Sequence, residues 1–230
     1  EVKNARSEVT VFELAPLFMG RQFDQNASHI LTAIAEGHGI SIHTGVQIEA
    51  IEGEEKVSGV RLKDGRVMEA DLVIVSAGVR ANSLLAKAAG IQINRGVVVN
   101  EKMETSLEDI YACGDCAEYD GMNYAIWPQA LEEGKVAGAN AAGDSLTYET
   151  VPAALTFHGM NTALYAIGDN GKNPDLLYRT VEFKDMGRKQ YEKYYFKNNK
   201  LCGVILIGDV SKMAEVTKAI EEQASFQEMF

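Results

Sequence analysis

The alternation of apolar and polar positions changes period along the chain. Val9-Thr10-Val11-Phe12 is a β-rich run that ends in Glu13 and gives way to a loop with Pro16 and Gly20. Asp24 is suited to cap a first helical turn. Ile30, Leu31 and Ile34 then recur at helical spacing, predicting a helix to about Glu36 that Gly37-His38-Gly39 stops. Ile40-Ser41-Ile42-His43 alternates as a strand does. Residues 46–52, 57–62 and 67–70 continue in short alternating runs, with Asp64-Gly65 between the last two. Asp-Gly flanked by alternation is a hairpin signal, so this stretch predicts a β-meander inserted into an α/β unit. Residues 71–75 are nearly all apolar and predict a fully buried strand ending at Ser76-Ala77-Gly78.

Farther on, residues 83–89 predict a short helix stopped by Gly90, and residues 97–99 and 110–113 predict strands, the second broken by Gly114-Asp115. Residues 129–142 predict a helix whose small residues (Ala130, Gly134, Ala137, Gly138, Ala141) suit close packing on a sheet or a ligand. The pattern changes around 146–152, with Pro152 as a boundary. Residues 153–207 offer up to five strands, with Asn198-Asn199-Lys200 turning between two of them, and Ser211 is placed to cap a last helix reaching about Ala224. Strands followed by a helix predict an α+β domain. A parallel strand as early as Val9 needs neighbours on both sides, so the chain is expected to begin inside a domain and to belong to a longer protein.

Composition narrows the partners. Of 230 residues, 46% are hydrophobic and 24% charged, enough apolar surface for a real core. The formal charge of −11 argues against nucleic acid, whose phosphates attract basic patches. No apolar run reaches the roughly 18 residues of a membrane span, and the polar opening of residues 1–8 is unlike a signal peptide. Three cysteines do not make a disulfide framework, so a reducing, cytoplasmic setting is expected.

The candidate chemistry sits at strand ends. Glu13 closes its strand as does the acid that accepts from the adenosine ribose hydroxyls in dinucleotide-binding domains. A carboxylate there repels a 2′-phosphate, which favours NADH over NADPH. Gly114-Asp115 combines a residue that lets backbone approach a ligand with a carboxylate that accepts from sugar-alcohol hydroxyls. Cys113 and Cys116 spell CxxC, but no second CxxC completes a four-ligand zinc site. A thiol–disulfide role would need Cys113 partly exposed, whereas it is read at the end of a buried strand. His29, His38, His43 and His158 lack metal-ligand spacing, so no metal is expected. Arg188, Lys189, Lys193 and Lys197 are read first as a solvated strand edge and alternatively as a basic face for an acidic electron carrier.

The string of residues 105–115, Thr-Ser-Leu-Glu-Asp-Ile-Tyr-Ala-Cys-Gly-Asp, resembles the second FAD-binding motif of the FAD-dependent pyridine nucleotide-disulfide oxidoreductases. Residues 71–78 with Val79-Arg80, then Trp127-Pro128-Gln129-Ala130 with Gly134-Lys135-Val136-Ala137, resemble further segments of that family in the same order. The resemblance runs in particular to NADH:rubredoxin reductases and to the flavin-binding part of NADH-nitrite reductases. It covers about residues 5–150 firmly and the rest loosely. The family often has Pro where this chain has Ala81, a difference of loop stiffness. The family's glycine-rich phosphate turns are not in this chain.

The resemblance implies a partial NAD(P)-binding domain in residues 1–77, the C-terminal part of an FAD-binding domain in 78–150, and a small α+β domain in 151–230. It implies doubly wound α/β architecture and electron transfer from a nicotinamide nucleotide through flavin to an acceptor such as rubredoxin or a nitrite reductase centre. Glu13 would then hold the NAD ribose. Gly78 and Arg80 would line the nucleotide channel, Gly114 and Asp115 would hold the flavin's polyol chain, and Trp127 with Pro128 would pack on its ring. Both thiols are expected beside the flavin, and a homodimer is compatible with this reading. NADH oxidase, peroxidase and CoA-disulfide reductase are rivals within the family. A non-catalytic fragment that holds FAD poorly is a rival of another class.

Overall fold

A computed structural model describes residues 7–150 and 152–230, so most of the polar opening, residues 1–6, lies outside the described residues. The described chain forms two compact units, one from the residues up to Ile74 together with Ala153–Phe230, the other Val75–Pro152.

In the first unit, β1 (Val9–Glu13) and β2 (Ile40–Thr44) pair in parallel, with α1 (Gln25–Gly37) as the connection that parallel pairing requires. Asp24 caps α1 as expected, its Oδ1 accepting from the Ala27 amide at 2.9 Å. The meander follows as three antiparallel strands in order β3 (Ile48–Glu52), β4 (Gly59–Leu62), β5 (Val67–Glu69), with Gly65 in the left-handed region at φ 88° in the last turn.

The second stretch of this unit supplies the five strands predicted for it. They are β8 (Ala154–Gly159), β9 (Thr162–Gly168), β10 (Arg179–Asp185), β11 (Gln190–Lys197) and β12 (Lys200–Ile207), in sheet order β10-β11-β12-β9-β8. Asn198 (φ 51°) and Asn199 (φ 64°) form the two-residue turn between β11 and β12, a turn whose left-handed positions asparagine tolerates. Gly203 is obligatory, since a Cβ there would stand 1.7 Å from the Asp169 carbonyl oxygen.

Strand periodicity splits this sheet between two cores. Leu164, Ala166, Tyr191, Tyr195, Ile205 and Ile207 face one way and meet Phe23, Ala27, Ile30, Leu31 and Ile34 of α1 and the loop before it. Tyr165, Ile167, Tyr194, Val204 and Leu206 face the other way and meet Val216, Ala219 and Ile220 of α4 (Met213–Glu221). The apolar stripe predicted on α1 is therefore buried against strands more than 120 residues later in the chain.

Several expectations need correction. Ser211 does not cap α4: Lys212 occupies that position without a side-chain bond, and the Ser211 amide is bonded to Asp209 instead. A short α5 (Phe226–Met229) with a capping box between Ser225 and Glu228 follows. Lys193 is neither on a sheet edge nor on a solvated basic face. It lies on β11, between β10 and β12, with its ammonium 2.8 Å from Asp24 and 3.3 Å from Glu182.

In the second unit, α2 (Leu84–Ala88) precedes β6 (Val97–Val99), which pairs in parallel with β7 (Ala117–Tyr119), and α3 (Trp127–Ala141) closes the unit. Residues 71–75 form no strand. Leu72, Ile74 and Val75 are exposed, because a strand exists only through hydrogen bonds to neighbours and none of the described strands pairs with them. Residues 110–113 are likewise not a strand but hold only a bridge from Tyr111 to Glu104, so Cys113 is half-buried rather than at the end of a buried strand. The strand that forms instead, β7, lies just beyond the Gly114 turn.

Glu118 on β7 is 2% exposed and anchors this unit. Its carboxylate accepts from Asn94 Nδ2 at 2.7 Å and from the Arg95 and Gly96 amides at 2.6 and 2.8 Å. Burial pushes its pKa up, but these donors outweigh burial and hold it below the usual carboxylate value. The stability it contributes is thus complete above its unfolded pKa and is lost as pH falls through its lower folded one. Glu118→Ala is expected to cost about 3 kcal/mol at neutral pH, by stranding the buried Gly96 amide. In urea titrations the difference from wild type should shrink on acidification.

Candidate functional site

The backbone around Asp115 is tied down from several directions. Gly114–Cys116 is a single 3-10 turn that Gly114 enters at φ 73°, a conformation that strains residues with a Cβ. The Gly114 amide donates to Glu133 Oε2 on α3 at 2.7 Å. Asn123 Nδ2 donates to the Asp115 carbonyl at 3.0 Å and to the Ala117 carbonyl at 2.6 Å, and Cys116 Sγ contacts the Cys113 carbonyl at 3.4 Å. A Cβ on Gly114 would lie 3.5 Å from that of Ala130, so the turn sits directly on α3. The Asp115 side chain is left facing solvent, and among the described residues nothing donates a hydrogen bond to it.

Helix α3 follows this turn after β7 and a loop. Its N-cap, Ile126, makes no side-chain cap bond, Pro128 occupies the first turn, and Trp127 is 77% exposed. A fifteen-residue helix whose N-cap makes no side-chain bond presents the positive end of its dipole. Its buried face carries Gln129, Glu133, Val136, Ala137 and Asn140. Polar residues at helical spacing on an inward face are a sequence signal for a polar site, and Glu133 is the residue that sequence reading missed.

Glu133 is 4% exposed. Burial raises its pKa, the Gly114 amide opposes that, and the nearby Asp115 carboxylate raises it further. Tyr148, buried and with no hydrogen-bond partner for its hydroxyl among the described residues, is pushed up to about 12 by burial first and then by Glu133. Cys113 and Cys116 are free thiols, and burial, with Cys116 and Glu133 adding to it, pushes Cys113 up and keeps it protonated.

The other candidates belong to other segments. Glu13 ends β1 in the first unit, where its Oε1 accepts from the Ala15 amide at 2.8 Å and its carbonyl from Val46 at 3.1 Å. Gly78 (φ 82°, with open space where a Cβ would be) and Arg80 sit on the exposed stretch before α2. Among the described residues that stretch makes no hydrogen bond to the Gly114 turn or to α3. Within the second unit the structure therefore brings together Gly114 and Asp115 with the helix that starts at Trp127 and Pro128, and does not join Gly78 or Arg80 to that group by a hydrogen bond among the described residues, while Glu13 belongs to the first unit.

The chain is similar to known proteins along nearly all of its length. Residues 1–134 match the pyridine nucleotide-disulphide oxidoreductase family, and residues 152–224 match the rubredoxin NAD+ reductase C-terminal domain. The nitrite reductase [NAD(P)H] of Bacillus subtilis is 31% identical over 98% of this chain, which spans 28% of that protein. The NADH-rubredoxin oxidoreductase of Clostridium acetobutylicum is 31% identical over 90% of the chain, which spans 50% of it. A ferredoxin reductase for the CYP199A2 system from Rhodopseudomonas palustris superposes with a TM-score of 0.82 at 26% identity, over 97% of this chain and 56% of that one. The chain thus spans about half or less of these two curated relatives. On this match of more than half its residues, and with the glycine–aspartate turn seated on its helix, the chain belongs to the pyridine nucleotide-disulphide oxidoreductase family.

Proposed function

We propose that this chain forms part of an FAD-dependent NAD(P)H oxidoreductase that passes electrons from a nicotinamide nucleotide through flavin to an acceptor such as rubredoxin or a nitrite reductase centre. The observation that carries this reading is the exposed Asp115 carboxylate, set on a turn whose backbone is occupied by Glu133 and Asn123. The residues fit the cofactor. A free carboxylate accepts from the hydroxyls of a polyol chain, the start of α3 turns the positive end of its dipole toward an electron-rich ring edge, and exposed Trp127 with Pro128 offers apolar surface to a flat ring. When bound, FAD supplies the two-electron relay between hydride donor and acceptor. The protein's part is placement: Gly114 lets backbone come close, Asp115 orients the polyol, and α3 offers its dipole to the ring.

Glu13 is the residue proposed to hold the NAD ribose, with Gly78 and Arg80 along the nucleotide channel. The bond from the Ala15 amide fixes the Glu13 carboxylate at the end of its strand. That fixed negative charge supports a preference for NADH. For a small acidic carrier, Lys189 and Lys197 remain exposed, Arg188 is exposed and paired with Asp185, and Lys193 is drawn inward by Asp24.

Mixing the intact FAD-loaded protein rapidly with NADH should bleach its flavin absorbance, and rubredoxin or a nitrite reductase partner should restore it. Flavin that stays oxidised under excess NADH would overturn the reading. Glu13→Gln is expected to lower kcat/KM for NADH about tenfold while leaving NADPH nearly unchanged, narrowing the selectivity. An unaltered NADH-to-NADPH ratio would remove Glu13 from the site.

A further inference from the structure

We propose that Glu133 is a positioning residue for flavin binding, fixing the Gly114–Asp115 turn by accepting the Gly114 amide so that the Asp115 carboxylate is presented in one orientation. The inference rests on the flavin reading above and deepens it by giving a role to the carboxylate beneath its turn. Its grounds are geometric. Glu133 lies on α3 and Gly114 nineteen residues earlier, and the 2.7 Å bond between them joins helix to turn. Gly114 opens the 3-10 turn, and the first amides of such a turn have no partner inside it. Asn123 restrains the far side through the carbonyls of Asp115 and Ala117, so the amide of Gly114 is the near-side restraint on the same four residues.

A buried carboxylate is costly to hold, and Asp115 close by makes it costlier. The groups facing Glu133 are Asp115 and Cys113 on the turn, Tyr124 in the loop before α3, and Tyr148 beyond its end. None of these is a cation, and among the described residues Glu133 makes no ion pair. Accepting the turn's amide is the role the structure gives it.

Two variants separate acceptor from bulk. Glu133→Gln keeps an oxygen that can accept, and Glu133→Met keeps the volume without one. In the intact protein, titrated with FAD and followed by flavin fluorescence, Glu133→Met should weaken binding about tenfold, and Glu133→Gln should stay within about threefold of wild type. Combining Glu133→Met with Asp115→Ala should bind no more weakly than Asp115→Ala alone, because both remove the same contact. Wild-type affinity in the Met variant, or losses that add in the double variant, would overturn the positioning role while leaving the flavin site standing. Wild-type affinity in Asp115→Ala itself would overturn the flavin reading and this role together. Should the Met variant not fold, hydrogen exchange at the Gly114 amide decides: slow exchange in wild type and Glu133→Gln supports the role, and fast exchange in wild type overturns it.

Discussion

Replacing Asp24 with alanine is expected to destabilise the first unit by about 4 kcal/mol, more than Glu118→Ala costs the second. One carboxylate serves four donors. Oδ1 caps α1, and Oδ2 accepts from Tyr191 at 2.8 Å, Lys193 at 2.8 Å and Tyr195 at 2.9 Å. The cap alone contributes about 1 kcal/mol. The remainder comes from leaving a largely buried ammonium and two buried phenols with fewer acceptors, Glu182 being the acceptor that stays for Lys193 and Tyr191. Burial pushes the Asp24 pKa up, but Lys193, the Ala27 amide and the two tyrosines outweigh it and hold the group below its ordinary value. Its contribution is therefore complete above the unfolded pKa of about 4 and disappears as pH falls through the folded one. Urea titrations of wild type and Asp24→Ala should differ most at neutral pH and converge in acid. Asp24→Asn should retain the cap and lose roughly half as much. A difference that does not change between neutral and acid pH would contradict this account.

Asp115→Ala in the intact protein is expected to weaken FAD binding between about tenfold and a hundredfold, read by flavin fluorescence on titration of the apoprotein. Because the side chain is exposed and accepts nothing from the described residues, the apoprotein's stability should stay within about 0.5 kcal/mol of wild type. That combination, lost ligand with retained fold, distinguishes a binding residue from a structural one. Asp115→Asn should fall between, since its amide oxygen still accepts but without charge. Equal affinity in wild type and Asp115→Ala would remove this turn from the flavin site.

Local signals are legible in the sequence, and non-local ones are not. Asp24 can be recognised as a helix cap because capping spans three residues. Its bonds to Tyr191, Lys193 and Tyr195 cross more than 160 residues and leave no periodic trace. The same separation hides the destination of Lys193, which reads as a surface lysine until β11 is seen between two neighbours. The apolar run 71–75 carries the composition of a buried strand, yet composition states what a segment could pair with and not whether a partner is present. At the candidate site, Gly114 and Asp115 stand out through their motif, whereas the support beneath them does not. Glu133 belongs to a Glu-Glu pair, and only the burial of one member, set by the phase of α3, separates it from its half-exposed neighbour Glu132.

The seating of α1 on the five-stranded sheet has a consequence for swapping parts among related reductases. A recombinant that exchanged residues 153–230 for a homologue's would cut at a natural sequence seam and still fail to be modular. The donor's β9, β11 and β12 would have to match the host's Phe23, Ile30, Leu31 and Ile34 in shape, and supply a cation and phenols for its Asp24. Grafts that carry the segment from Phe23 to Gly37 along with the tail should be the ones that express.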